Sequence, residues 1–136
     1  MAKRTLLHGE LTKQIIAAFY QVHYELGYGF AESVYSRAMA YALEDLGLPT
    51  RREVPIVVYF RGREVGDFRA DHVVEAAVLL ELKAGPSLPE GADAQVLNLL
   101  RATNIEVGLL LHFGVKPKFE RFVYTNGRKL IPTKSV

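Results

Sequence analysis

Residues 69–85 read R-A-D-H-V-V-E-A-A-V-L-L-E-L-K-A-G, two apolar, β-branched-rich runs with charges where a sheet interior should be greasy. Asp71 opens the first run; Glu81 and Lys83 close the second. A strand alternates its faces with period two, so Glu81 and Lys83 point the same way, roughly 7 Å apart, while Leu80 and Leu82 point the other way. The short Glu75-Ala76-Ala77 break permits a tight antiparallel return that brings Asp71 back beside Glu81. Ionisable groups are almost never buried unless paired or metal-bound. Two carboxylates and a lysine beside a buried strand therefore mark a site. A slip of one residue in either hairpin would turn Asp71 to the wrong face, so the site depends on register.

Outward from this stretch, 136 residues predict one domain with a real core. The chain has no cysteine, which excludes disulfides, iron–sulfur clusters, thiolate zinc sites and cysteine nucleophiles and suits a reducing cytoplasm. The N-terminal M-A-K-R-T-L-L-H lacks a long apolar segment, and no run approaches the length of a membrane span. A soluble cytoplasmic protein is expected. The net charge of +2 does not announce a nucleic-acid binder, but it is unevenly spread. Residues 115–136 hold six basic residues (Lys116, Lys118, Arg121, Arg128, Lys129, Lys134) against Glu120, making that segment +5 and the remainder −3. Such a tail can follow a phosphate backbone or can simply solvate a terminal strand.

In chain order, Leu11, Ile15, Phe19, Val22 and Leu26 recur at helical spacing and end at Gly27. A second helix follows the Gly27-Tyr28-Gly29 turn, with Val34, Ala38, Ala42 and Leu46 on one face and Gly47 as its stop. Residues 54–60 form a strand with Pro55 near its start or on an edge, and Arg61-Gly62-Arg63-Glu64 a hairpin turn. The next strand runs from Val65 to Val74, with a bulge near Gly66-Asp67, and the third from Val78 to Lys83. A helix from about Ala92 to Thr103 presents Ala94, Leu97 and Leu100. The continuous apolar run Val107 to Phe113 predicts a strand covered on both faces, followed by an edge strand from Phe119 to Tyr124 and a turn at Asn126-Gly127. The order is α-α-β-β-β-α-β-β.

That order, with Asp71 and Glu81-Leu82-Lys83 on neighbouring strands, resembles the PD-(D/E)XK nuclease-like superfamily, whose signature is an Asp followed by Asp/Glu-x-Lys on the next strand. Gly29-Phe30-Ala31-Glu32-Ser33-Val34-Tyr35 reads G-x-x-E-x-x-Y and is similar to the GxxExxY protein family placed within that superfamily. His23-x-x-x-Gly27, Arg69-Ala70-Asp71, Glu81-Leu82-Lys83-Ala84, Ala94-Gln95, Gly108-Leu109-Leu110 and Phe113-Gly114 extend the match over about residues 11–114. A lone D…ExK is weak, whereas the ordered set is specific. The resemblance implies a restriction-endonuclease-like α/β (α+β) fold, a central mixed sheet flanked by helices, over a single domain 1–136.

It also implies a divalent-metal-dependent nuclease acting on DNA or RNA. Asp71, Glu81 and the Leu82 backbone carbonyl would hold Mg²⁺ or Mn²⁺, a hard-oxygen set suited to either ion. Lys83 would orient water or stabilise the transition state. Glu32 matches the helical acid that many members aim at the metal, and Gln95 the glutamine that often supports the lysine. Two departures stand out: Leu99 where relatives tend to have tyrosine in Q-x-x-x-Y, and Ala92 where a histidine often precedes the glutamine by three. Neither position is a metal ligand. The alternative is a catalytically inactive nuclease-like fold serving as a homo-oligomeric or nucleic-acid-binding module, with an exposed C-terminal edge strand for pairing.

Each candidate also has a plainer role. Lys83 can be one half of a structural ion pair, and Glu32 a first-turn acid favoured by the helix dipole. Tyr35 is expected to pack or hydrogen-bond, and His23 to serve the end of the first helix. His72 faces away from Asp71, and His112 lies in a core strand. Phosphate-loop, dinucleotide, G-x-S-x-G and H-E-x-x-H motifs are absent.

Overall fold

The computed structural model describes residues 6–136; residues 1–5 of the N-terminal stretch considered above lie outside the described residues. Helices α1 (Gly9–Leu26) and α2 (Glu32–Asp45) precede strands β1 (Thr50–Phe60), β2 (Arg63–Val74) and β3 (Val78–Ala84). Helix α3 (Ala92–Ala102), strands β4 (Val107–Phe113) and β5 (Pro117–Val123), and a 3-10 turn at Asn126–Arg128 complete the order expected. The five strands form one sheet in sequence order. Only β3 and β4 run parallel, because the chain crosses between them through α3; the other neighbours are antiparallel. No described helix is long and apolar enough to cross a membrane.

One face of the sheet carries α1 and α2, with Ile15, Phe19, Met39 and Leu43 packed on Leu80, Leu82, Leu109 and Leu111. The other carries α3, with Val96, Leu99 and Leu100 on Val73, Leu79 and Leu110. Every residue of β4 is buried, as the unbroken apolar run predicts. Gly108 lets α3 approach: a Cβ there would stand 2.8 Å from Val96 Cγ1 and 3.1 Å from Leu79 Cδ1.

Helix rotation differs from the expected stripes. Val34 and Leu46 are exposed, and α2 buries Tyr35, Met39 and Leu43 instead, with Ala38 and Ala42 half-buried beside them. On α3 it is Ala94 that is exposed, while Val96, Leu99 and Leu100 face inward. The larger side chains win because each buries more apolar area than an alanine can. Leu99 and Ala92, the two departures from the family pattern, are thus core residues. The expected bulge lies at Val65, where Val58↔Gly66 gives way to Tyr59↔Glu64. Both β1 and β2 begin earlier than their apolar runs suggest, because main-chain pairing, not hydropathy, sets their ends.

Candidate active site

The site arises where the sheet splits. β2 and β3 pair for only three residues, His72↔Leu80, Val73↔Leu79 and Val74↔Val78. Beyond these, β2 stays with β1 and β3 with β4, so backbone amides on both sides lose their ladder partners. Two carboxylates take them. The Leu82 amide donates to Asp71 Oδ2 at 2.7 Å, and the Asp71 amide donates to Glu81 Oε1 at 3.1 Å. Opposite Asp71, Glu53 has a left-handed backbone (φ 51°), and no Glu53↔Asp71 pair forms between Arg52↔His72 and Val54↔Ala70. The ribbon rolls over at this point: Arg52 and His72 reach Ser36 on α2, whereas Val54 and Ala70 join the α3-side core.

The return that aligns Asp71 with Glu81 is a tight turn closed by the Ala77 amide donating to the Val74 carbonyl at 3.0 Å. Glu75 and Ala76 both adopt positive φ (52° and 53°), the type I′ geometry that matches strand twist but that non-glycine residues resist. The register that decides the site is therefore held by β2–β3 packing against the turn's own preference.

Glu32 comes from a third direction, at the start of α2. Tyr35, one turn on, is fully buried and fixes the approach. Its hydroxyl donates to the Gly27 carbonyl at 2.5 Å and accepts from the Phe30 amide at 3.2 Å, and its ring stacks on Phe113 with centroids 4.3 Å apart. Between these anchors Gly29 sits at φ 120°, a backbone that side-chain-bearing residues rarely adopt. The spacing G-x-x-E-x-x-Y thus reads as a glycine turn, an acid at the helix start and a buried phenol that clamps the two together. Tyr35 is the positioning residue that composition alone passes over; the signal for it was a phenol one turn after the acid and a few residues after paired glycines.

The charges are strained by this placement. Glu81 is 2% exposed, and burial first, then the Asp71 charge, pushes its carboxyl up to about 8. Burial also raises Asp71, with the Leu82 amide and Lys83 pulling the other way. Glu32 is raised by burial and then by Asp71, again eased by Lys83. These mutual effects bring Glu32, Asp71, Glu81 and Lys83 within one electrostatic neighbourhood. Burial thus favours the protonated form of Glu81 at neutral pH. Among the described residues, Lys83 closes no ion pair within 4.0 Å, so it acts on the acids through the field and not through a clamped contact.

The donor set fits a hard divalent cation. Asp71 and Glu81 each spend one carboxylate oxygen on a backbone amide, and the other oxygen takes part in no protein hydrogen bond among the described residues. Among those residues, no three His, Cys, Asp or Glu side chains stand together as a ready three-ligand centre. Gln95 is not brought into this neighbourhood by any hydrogen bond; it is exposed and lines a separate hollow with Phe68, Arg69 and Asn98.

Three of the four histidines are held by hydrogen bonds within the fold. His23 donates to the Gly114 carbonyl at 2.8 Å and stacks on Phe113. His112 donates to the Gly85 carbonyl at 2.9 Å, tying the end of β3 to β4. His72 is fully buried between Ser36 and Thr50, 3.0 and 3.2 Å away, and burial, helped by Arg52, lowers it to about 4 so that it stays neutral.

Comparison with curated proteins gives no match. A solved structure titled "Crystal structure of SSO0001" is similar over 87% of this chain at 16% identity and a TM-score of 0.47, and this chain spans 59% of that one. A family model described as the PD-(D/E)XK nuclease superfamily matches residues 9–122, from the start of α1 into β5, and so takes in the whole restriction-endonuclease-like core and the split that holds the acids. The chain belongs to the PD-(D/E)XK nuclease superfamily.

Proposed function

We propose that this protein is a cytoplasmic, divalent-metal-dependent nuclease of the GxxExxY type that hydrolyses phosphodiester bonds in DNA or RNA. The observation that carries the reading is the Asp71–Glu81 pair in the mouth of the sheet, two carboxyl groups each held by a backbone amide through one oxygen, the other oxygen having no protein partner among the described residues. Burying such a pair is costly unless a cation joins it. Asp71 and Glu81, with the Leu82 carbonyl and Glu32, would hold Mg²⁺ or Mn²⁺, which when bound lowers the pKa of water and offsets charge on phosphate. Glu81 would release its proton on joining that set, while the Leu82 amide holds Asp71 in place. Glu32, on the helix start that Tyr35 anchors, would come to the same centre from α2. Lys83 supplies positive charge on the Glu81 side, where negative charge grows on the phosphate oxygens as water attacks.

The test is nicking of supercoiled plasmid and cutting of single-stranded DNA and RNA with Mn²⁺, Mg²⁺ or EDTA, with Lys83→Ala run beside wild type after circular dichroism. Metal-dependent cleavage lost in the variant supports the assignment; equal behaviour of the two proteins refutes it. A second reading, an inactive module that assembles with itself, draws on β5, an edge strand with Phe119 and Val123 exposed. Light scattering from a stable assembly that dissociates on Phe119→Lys substitution, without cleavage of any substrate, favours it.

A further inference from the structure

On β2, three residues before Asp71, lies a feature that the hydrolytic chemistry does not use. Phe68 on β2 is 50% exposed, and its ring lies over Gly66, where a Cβ would come within 2.8 Å of Cε2. The ring borders two hollows. One, of about 370 Å³, is rimmed by Arg69, Gln95 and Asn98; the other, of about 260 Å³, by Asn98, Arg101 and Ile131. Arg101 Nη1 donates to Asn98 Oδ1 at 3.3 Å, which occupies the amide oxygen and leaves the Asn98 NH₂ group to donate elsewhere. Arg69 precedes Asp71 by two residues, about 7 Å along the strand.

We propose that Phe68, Gln95 and Asn98 form a subsite for an unpaired nucleobase of the substrate strand, flanked by Arg69 and Arg101 for its phosphates. This deepens the nuclease reading and rests on it. An exposed aromatic face accepts any base by stacking. The two amides, one turn apart on α3, offer the donors and acceptors that match a base edge, and the guanidinium groups attract the backbone. A paired base has its faces covered by its neighbours and cannot use the ring. The subsite therefore selects single-stranded nucleic acid, or a strand opened near the cut, and gives Gln95 a part in substrate binding.

The test is fluorescence anisotropy in EDTA with labelled single-stranded DNA, single-stranded RNA and duplex of the same sequence. Phe68 is half-exposed, so Phe68→Ala leaves the core intact. Expected is about a tenfold loss of single-strand affinity for Phe68→Ala, in the range one stacked base contributes, with duplex binding unchanged. Phe68→Trp retains the affinity and Phe68→Leu does not. Asn98→Ala, at an exposed position, gives a second, smaller loss of a few-fold. Single-strand binding by Phe68→Ala equal to wild type overturns the subsite, as does an equal loss on duplex and single strand. If wild type cleaves but Phe68 variants bind normally, only the subsite falls. If wild type neither binds nor cleaves nucleic acid, the nuclease reading falls with it.

Discussion

Replacing Glu81 by glutamine should make the protein more stable while abolishing the proposed metal-dependent cleavage. The glutamine oxygen still accepts the Asp71 amide, so the geometry of the split is kept. What goes is the titration. Glu81 has an ordinary value of 4.5 and is raised to about 8 in the fold, so between these values the folded state binds more protons than the unfolded chain. Stability then falls as pH rises, from about pH 4.5 until the folded group has ionised near pH 8. At 1.36 kcal/mol per unit the full cost is on the order of 5 kcal/mol, and no discount for solvent applies because the side chain is 2% exposed. Between pH 6 and pH 9 the wild type should lose about 3 kcal/mol relative to Glu81→Gln, a gap in melting temperature that widens by about 10 °C. Urea unfolding of both proteins in EDTA across this range measures it. Millimolar Mg²⁺ should close the gap at pH 9 by stabilising the wild type alone, and binding at pH 7 should release close to one proton, read from calorimetry in buffers of different ionisation enthalpy. Parallel stability curves for the two proteins would refute the reasoning, for they would mean that Glu81 is already ionised at low pH.

Tyr35→Phe removes the hydroxyl that joins Gly27 to Phe30 and should cost about 1–3 kcal/mol by leaving those backbone groups unpaired; cleavage should fall more than melting temperature, because Glu32 loses its anchor. Gly108→Ala forces a methyl group against Val96 and Leu79 and should destabilise by about 1–3 kcal/mol in chemical denaturation. Glu75→Asn with Ala76→Gly supplies the residues a type I′ turn favours and should stabilise by about 1 kcal/mol, with a heteronuclear NMR spectrum unchanged around Asp71 and Glu81.

The acids were legible in the sequence because charge in an apolar strand is expensive enough to demand a reason, and Asp71, Glu81 and Lys83 all break an otherwise greasy pattern. The burial of β4 was legible for a related reason: an unbroken apolar strand needs cover on both faces. Helix rotation was not, because Val34 and Leu46 fit a 3.6-residue stripe as well as Tyr35, Met39 and Leu43 do. The choice between the stripes depends on Phe113, far along the chain, against which Tyr35 stacks.

Residue identity and local period therefore determined the elements, their order and the acids that would have to share a place. Tertiary structure alone decided that β2 and β3 part after three pairs, so that Asp71 and Glu81 replace main-chain partners, and that Gln95 shares a hollow with Phe68. The physical reason is range. Hydropathy acts residue by residue, whereas ladder termination, helix rotation and a buried group's proton affinity are set by neighbours distant in the chain.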